Sequence, residues 1–271
     1  MSRTATTSPV DFLSSKSSRL FLVLAGLFIA NVIIAETIGV KIFSLEQTFG
    51  FTPVSFTLLG QSGLSFDLSA GSVPWPVVFV MTDIINEYYG VRGVKFLSML
   101  AAALTAFMFV VFYLAIHTVP AEWWQASQIA NGVPDMQAAF SQILGQGMNI
   151  ILASLTAFLL GQLADAMIFK RIKIITGTRR IWMRATLSTL VSQLLDTIIV
   201  SYMFLYYSMG FPFARVTAIA MVGYTYKFSM AILCTPLVYL AHHLIERYLG
   251  RELATALKLQ AIERKSLIYT D

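Results

Sequence analysis

Charge is what this 271-residue chain has least of: 12% of its residues are Asp, Glu, Lys or Arg, while 57% are hydrophobic. A soluble domain carries about 25% charge. The chain cannot coat a water-facing globule, and a mean hydropathy of +0.72 puts it in the membrane. Cysteine is almost absent. Cys234 stands alone, which excludes an internal disulfide framework and any Cys-rich zinc or iron–sulfur site. Three histidines, His117, His242 and His243, leave little for a metal centre, and no metal or cofactor is expected. The stretch His242-His-Leu-Ile-Glu246 lacks the HExxH spacing of zinc proteases and reads as an interfacial cap on the last span. There is no nucleophile–base pair, no Gly-rich phosphate loop and no ATP motif. An enzyme is therefore not expected.

Six runs are apolar for long enough to cross a bilayer, which takes roughly 20 residues. They cover 20–40, 73–89, 94–116, 148–169, 187–207 and 216–240. The expected fold is an all-α integral membrane protein with six transmembrane helices. Residues 1–18, rich in Ser and Thr, form a flexible tail, 19–245 the transmembrane domain and 246–271 a C-terminal tail. All but three of the nineteen basic residues fall on one side of these spans. They are Arg3, Lys16 and Arg19 in the first tail, Arg92 and Lys95 in the second–third turn, and Arg247, Arg251, Lys258, Arg264 and Lys265 in the last tail. The fourth–fifth loop adds Lys170, Arg171, Lys173, Arg179, Arg180 and Arg184. The exceptions are Lys41, Arg215 and the intramembrane Lys227. By the positive-inside rule both termini are cytoplasmic. The charge of +5 is thus a topology signal, and no nucleic-acid partner is expected.

Two outer loops stand out. Within 44–72, the stretch Ser55–Ser69 alternates apolar and polar residues on each side of Gly60–Gly63, the pattern of a β-hairpin with one apolar face. Unpaired strand edges cannot face lipid, so the hairpin belongs at the outer surface, as a plug or as a gate. The loop 117–147 carries Trp123 and Trp124, which read as interfacial anchors, and an amphipathic stretch over 136–144.

Glu36, Asp83, Glu87, Asp165, Asp196 and Lys227 lie inside the spans. Each charge costs about 2.5–3.5 kcal/mol at the centre of a lipid-facing helix, so these side chains must turn into the bundle, pair, or line a wet cavity. Asp83, Asn86, Glu87 and Gly90 share one helix face at i, i+3, i+4 and i+7. Gln162-Leu-Ala-Asp165 in the fourth span is echoed by Gln193-Leu-Leu-Asp196 in the fifth, and Tyr224 and Lys227 share a face of the sixth. Repeated helices with inward polar groups make a transporter-like arrangement. Interhelical glue accounts for any one pair alone. Carboxylates beside carboxamides match a purine-like edge of N–H, NH₂ and C=O groups. A sugar, an amine or a proton relay would be served equally.

At these residues the chain resembles a known family. Phe79-Val-Met-Thr-Asp-Ile-Ile-Asn-Glu-Tyr-Tyr-Gly90 is similar to its second-helix signature. Gly161-Gln-Leu-Ala-Asp165, Ser188-Thr-Leu-Val-Ser-Gln-Leu-Leu-Asp-Thr197 and Tyr224…Lys227…Thr235-Pro-Leu-Val-Tyr239 match its later helices. This is the queuosine precursor transporter family, also called the vitamin uptake transporters, and the resemblance spans 31–243. It implies a bacterial inner-membrane importer of the 7-deazaguanines preQ0 or preQ1. It also implies a binding set of Asp83, Asn86, Glu87, Gln162, Asp165, Gln193, Asp196 and Lys227. The hairpin is longer than the family's first loop. An importer of another vitamin-like molecule, akin to the substrate-binding subunits of energy-coupling-factor importers, is the alternative. Proton coupling through the buried acids and facilitated diffusion with metabolic trapping both fit.

Overall fold

The computed structural model describes residues 15–145, 148–176 and 181–263. The expected N-terminal tail up to residue 14, together with Arg179, Arg180, Arg264 and Lys265, lies outside them. Five helical segments are long and apolar enough to cross a membrane: Lys16–Ile38, Ala70–Ile116, Ile151–Thr176, Trp182–Ser208 and Phe213–Leu249. Large apolar side chains such as Leu22, Leu27, Phe107, Val110, Leu152 and Leu160 point outward. In water such a surface would aggregate, whereas in lipid it is solvated.

Helix α1 (Lys16–Ile38) buries Leu24, Phe28, Val32 and Ala35, one stripe at helical spacing. It packs on α2 (Trp75–Ile116), whose continuous run contains both the second and the third expected spans. The run is not straight. At Gly90 the backbone leaves the helix with φ 70° and ψ −176°, a conformation essentially restricted to glycine. On a straight helix, residues 71 and 108 would stand about 55 Å apart. Instead both meet the same end of α1. A Cβ on Gly71 would lie 2.6 Å from the Ala35 carbonyl oxygen, and Thr37 Oγ1 donates to Met108 Sδ at 3.3 Å. Tyr89, beside the break, donates its hydroxyl to the Ser17 carbonyl at the opposite end of α1. The two halves of α2 therefore double back on each other at Gly90.

Between α1 and α2 two short antiparallel pairs form. Strand β1 (Ile42–Ser44) pairs with β4 (Asp67–Ser69), with Phe43 opposite Leu68. Strand β2 (Phe56–Leu58) pairs with β3 (Gln61–Leu64), with Leu58 opposite Gln61. The turn between β2 and β3 falls on Leu59 and Gly60, at φ 51° and 73°. Two successive positive φ angles make a type I′ connection, whose twist suits a two-residue hairpin. Gly63 accordingly sits in β3 rather than in the turn.

Below the hairpin, Ser44 caps a helical turn over Leu45–Thr48, and the Phe66 amide donates to Glu46 Oε1 at 3.1 Å. That bond favours the ionised carboxylate and holds Glu46 below its ordinary pKa. A lowered folded value means its stabilisation is complete above the unfolded pKa and is lost as pH falls through the folded one. Amide exchange at Phe66, corrected for its intrinsic rate, should lose protection as pH falls through the lowered pKa of Glu46. In Glu46→Gln protection should be weak at every pH.

Helix α3 (Met136–Leu144) starts at Asp135, whose carboxylate accepts from the Ala138 amide. Trp124 packs edge-on against its Phe140, while Trp123 stays exposed. Helix α4 (Met148–Thr176) and α5 (Ile181–Val200) form a tight antiparallel pair. Both extend past their expected ends toward each other, and α5 continues into a π-helical stretch, Ser201–Ser208. The last expected span becomes α6 (Phe213–Leu233) and α7 (Thr235–Leu249), joined at the buried Cys234 just before Pro236. Residues expected in the C-terminal tail form α8 (Arg251–Glu263). This helix folds back under α2, and Ala261 closes on Gly90, where a Cβ would lie 3.1 Å from the Ala261 carbonyl oxygen.

Candidate functional site

The polar side chains inside the bundle sort into three tiers along α2, α4 and α5. The middle tier is built on Asp83, 3% exposed. Its neighbour Thr82 donates to Gln162 Oε1 at 3.0 Å, and Asn86 Nδ2 donates to the Ala166 carbonyl at 3.0 Å. These bonds pin α2 to α4. Asp165, one turn from Gln162 on α4, accepts from Ser192 and Thr189 of α5 at 3.3 and 3.5 Å. Asp83 Oδ1 and Asp165 Oδ2 are buried and have no hydrogen-bond partner among the described residues. Asp83 lies within electrostatic reach of Asp165, Glu87 and Arg184. Its carboxylate opens on a hollow of about 10 Å³ walled by Phe79, Thr186, Thr189, Ala231 and Thr235. That is room for about one water. Thr186 and Thr235 hydroxyls meet across its rim at 3.2 Å.

The second tier sits toward the Gly90 turn. Glu87 is fully buried and bound by two cations, Arg184 Nη2 at 2.9 Å and Lys173 Nζ at 3.1 Å. Lys173 Nζ also donates to the Glu87 carbonyl, and the Arg184 guanidinium lies 5.5 Å from the centre of the Phe169 ring. Lys173 and Arg184, expected in the fourth–fifth loop as topology charges, are instead buried inside α4 and α5. The Glu87 counter-charge makes that burial tolerable. Next to it, His242 Nδ1 meets the Tyr88 hydroxyl at 3.2 Å. His242 is thus a core residue and not an interfacial cap. Lys258 of α8 binds Glu246 of α7 at 2.5 Å.

The third tier lies two turns along α5 from Thr189, about 10 Å away. There Asp196 forms an ion pair with Lys227 of α6, the two side chains 15% and 23% exposed. Glu36 accepts from Ser154 at 2.7 Å nearby, within reach of the Asp196 charge. Gln193, buried on α5, stands between this tier and the middle one.

Of the eight expected residues, the fold gathers Asp83, Asn86, Gln162 and Asp165 into one cluster. Glu87 is engaged in its own ion pairs, and Asp196 and Lys227 bind each other without walling the Asp83 hollow. Sequence reading missed Thr186, Thr189 and Ser192. A signal was there, because Thr186, Thr189, Gln193 and Asp196 follow one another at i, i+3, i+7 and i+10 along a single stripe of α5.

Apolar helices around an interior of stacked polar side chains define a multi-pass membrane transporter. Residues 69–241 match the family described as "Putative vitamin uptake transporter", and the chain belongs to that family. All eight expected site residues fall inside the matched region. A curated relative from Bacillus subtilis (strain 168), named "Probable queuosine precursor transporter", is 29% identical over 186 residues, covering 66% of this chain and 75% of its own. No solved structure matches the chain. The family is one of transporters and not of enzymes.

Proposed function

We propose that the chain imports a queuosine precursor, a 7-deazaguanine such as preQ0 or preQ1, across a bacterial inner membrane. The observation that carries this reading is the pair of buried carboxylates, Asp83 and Asp165, each with one oxygen lacking a donor among the described residues. An ionised carboxylate only accepts, and a deazaguanine edge offers adjacent N–H groups. The Gln162 and Gln193 amides complement its carbonyl, and Asn86 fixes the α2–α4 spacing. The alternation of α1, the two halves of α2, α4, α5 and α6 fits six crossings. Both termini would then be cytoplasmic and the β2–β3 hairpin would face outward. A hollow for one water is far below the few hundred Å³ of a small-molecule pocket. For a solute to enter, α5 must part from α6 and α7. The π-helical stretch and the Cys234–Pro236 joint are the places where backbone hydrogen bonding already deviates from the regular helix.

The test is uptake by the purified protein in proteoliposomes, competed in turn by preQ0, preQ1, queuine, guanine and several vitamins, with and without an imposed pH gradient. Competition by the deazaguanines alone supports the proposal. Competition by a vitamin instead makes the chain a carrier of that solute, and a response to the gradient marks proton symport. In a strain dependent on salvaged deazaguanine, Asp196→Asn should abolish growth while the protein still inserts, because Lys227 then loses its anion beside the pathway. Normal salvage by that variant would remove Asp196 from the site.

A further inference from the structure

Where Gly90 turns the chain, the start of α1, the turn and α8 enclose a cleft of about 440 Å³. It shares no wall with the hollow at Asp83. Its chemistry is graded along the helices. Ser17, Ser18, Arg92 and Gln260 line one end, while Phe21 and Phe96 line the other. Phe21 follows Ser17 by four residues, and Phe96 follows Arg92 by four, so on both helices the aromatic ring lies about 6 Å beyond the polar group. Phe96 is 60% exposed on the apolar flank of α2. Arg92 has no acidic or hydrogen-bonding partner among the described residues, whereas Lys173, Lys227 and Lys258 are each paired. Lys16 and Arg19 flank Ser17 and Ser18 in the sequence, and Lys16 Nζ donates to the Tyr248 carbonyl. Among the described residues no side chain caps the first amides of helix α1 there, and helix N-termini favour anions.

We propose that this cleft binds one anionic phospholipid. Its phosphate meets Arg92 and the Ser17 and Ser18 hydroxyls, and its acyl chain runs along Phe21 and Phe96. The gradation selects this ligand from its neighbours. A free phosphate would use the donors and leave the aromatic wall uncovered. A zwitterionic lipid would bring a second cation up to Arg92. Because α8 forms one wall and closes on Gly90, the bound lipid also fastens α8 to the turn. The site is separate from the proposed transport pathway and stands or falls without it.

The experiment uses the full chain in neutral detergent, titrated with phosphatidylglycerol, phosphatidylcholine or inorganic phosphate. The thermal unfolding midpoint and the lipids retained in native mass spectrometry are recorded. Phosphatidylglycerol should raise the midpoint and remain bound at one copy per chain, and the other two should do neither. Arg92→Gln should weaken the phosphatidylglycerol response at least about tenfold, the loss expected for one charge-assisted phosphate contact. Lys95→Gln, which removes a charge outside the cleft walls, should respond like the wild type. Should Arg92→Gln not fold, Ser18→Leu fills the polar end from α1 and should give the same loss. An equal response in wild type and Arg92→Gln would overturn the proposal. So would an equal loss in Lys95→Gln, which marks diffuse attraction, or a full response to inorganic phosphate.

Discussion

Replacing Glu87 with alanine is expected to cost about 3–5 kcal/mol, the range found when one partner of a buried ion pair is removed. The size follows from what remains. Lys173 and Arg184 are 2% and 0% exposed and both reach the same carboxylate. Without it two cations face each other in a medium that screens poorly. The contact between Arg184 and the Phe169 ring is worth about 0.5–2 kcal/mol and cannot offset that repulsion. Folded proteins hold only about 5–15 kcal/mol in total, so Glu87→Ala should accumulate poorly and melt early in detergent. Lys227→Met is the contrasting case. It leaves one uncompensated anion, Asp196, on a side chain that is 15% exposed, where Glu87→Ala leaves two cations that are both buried, so its cost should be the smaller of the two. Thermal midpoints of the two variants side by side test this. A Glu87→Ala protein as stable as Lys227→Met would mean that the two buried cations do not depend on Glu87.

The same ion cluster marks the boundary of what can be read from sequence. Hydropathy located the spanning segments, because a bilayer demands long apolar runs wherever the chain crosses. It ended the fourth segment near Phe169 and began the fifth near Leu187, because Lys173 and Arg184 look like loop residues in any local window. Their partner, Glu87, lies 86 residues before Lys173, and no local pattern carries that pairing. The polar stripe of α2 was legible from spacing alone, since Asp83, Asn86 and Glu87 share a face whatever packs on it. Which of them keeps an oxygen without a donor among the described residues was not legible. It depends on Lys173 and Arg184 claiming Glu87 and on Ala166 claiming Asn86. Helix α8 was hidden for a related reason. Ala254, Lys258 and Ala261 form a modest stripe among charged residues, and its meaning lies in the glycine at position 90 that lets α8 approach.

The largest functional effect is expected at Asp83. Asp83→Asn keeps the shape of the side chain and replaces an acceptor-only carboxylate with an amide that presents N–H groups. Stability should hold or rise, because Oδ1 has no donor to lose among the described residues and a buried charge is removed. Transport should fall by about a hundredfold or more. Two charge-assisted hydrogen bonds at about 1.5–3 kcal/mol each exceed the 2.8 kcal/mol that corresponds to about a hundredfold. The new amide would also point its own hydrogens at those of the ligand. Thr189→Ala leaves the Asp83 carboxylate in place and removes only a long contact to Asp165, so its uptake should drop by about tenfold at most. Initial rates of labelled deazaguanine uptake, read beside the thermal midpoint of each variant, separate the two possible roles of Asp83. Loss of transport at unchanged stability makes Asp83 a ligand acceptor. Loss of both makes it a structural partner of the Glu87–Arg184 cluster, and uptake at the wild-type rate would move the substrate edge to Asp165 or Asp196.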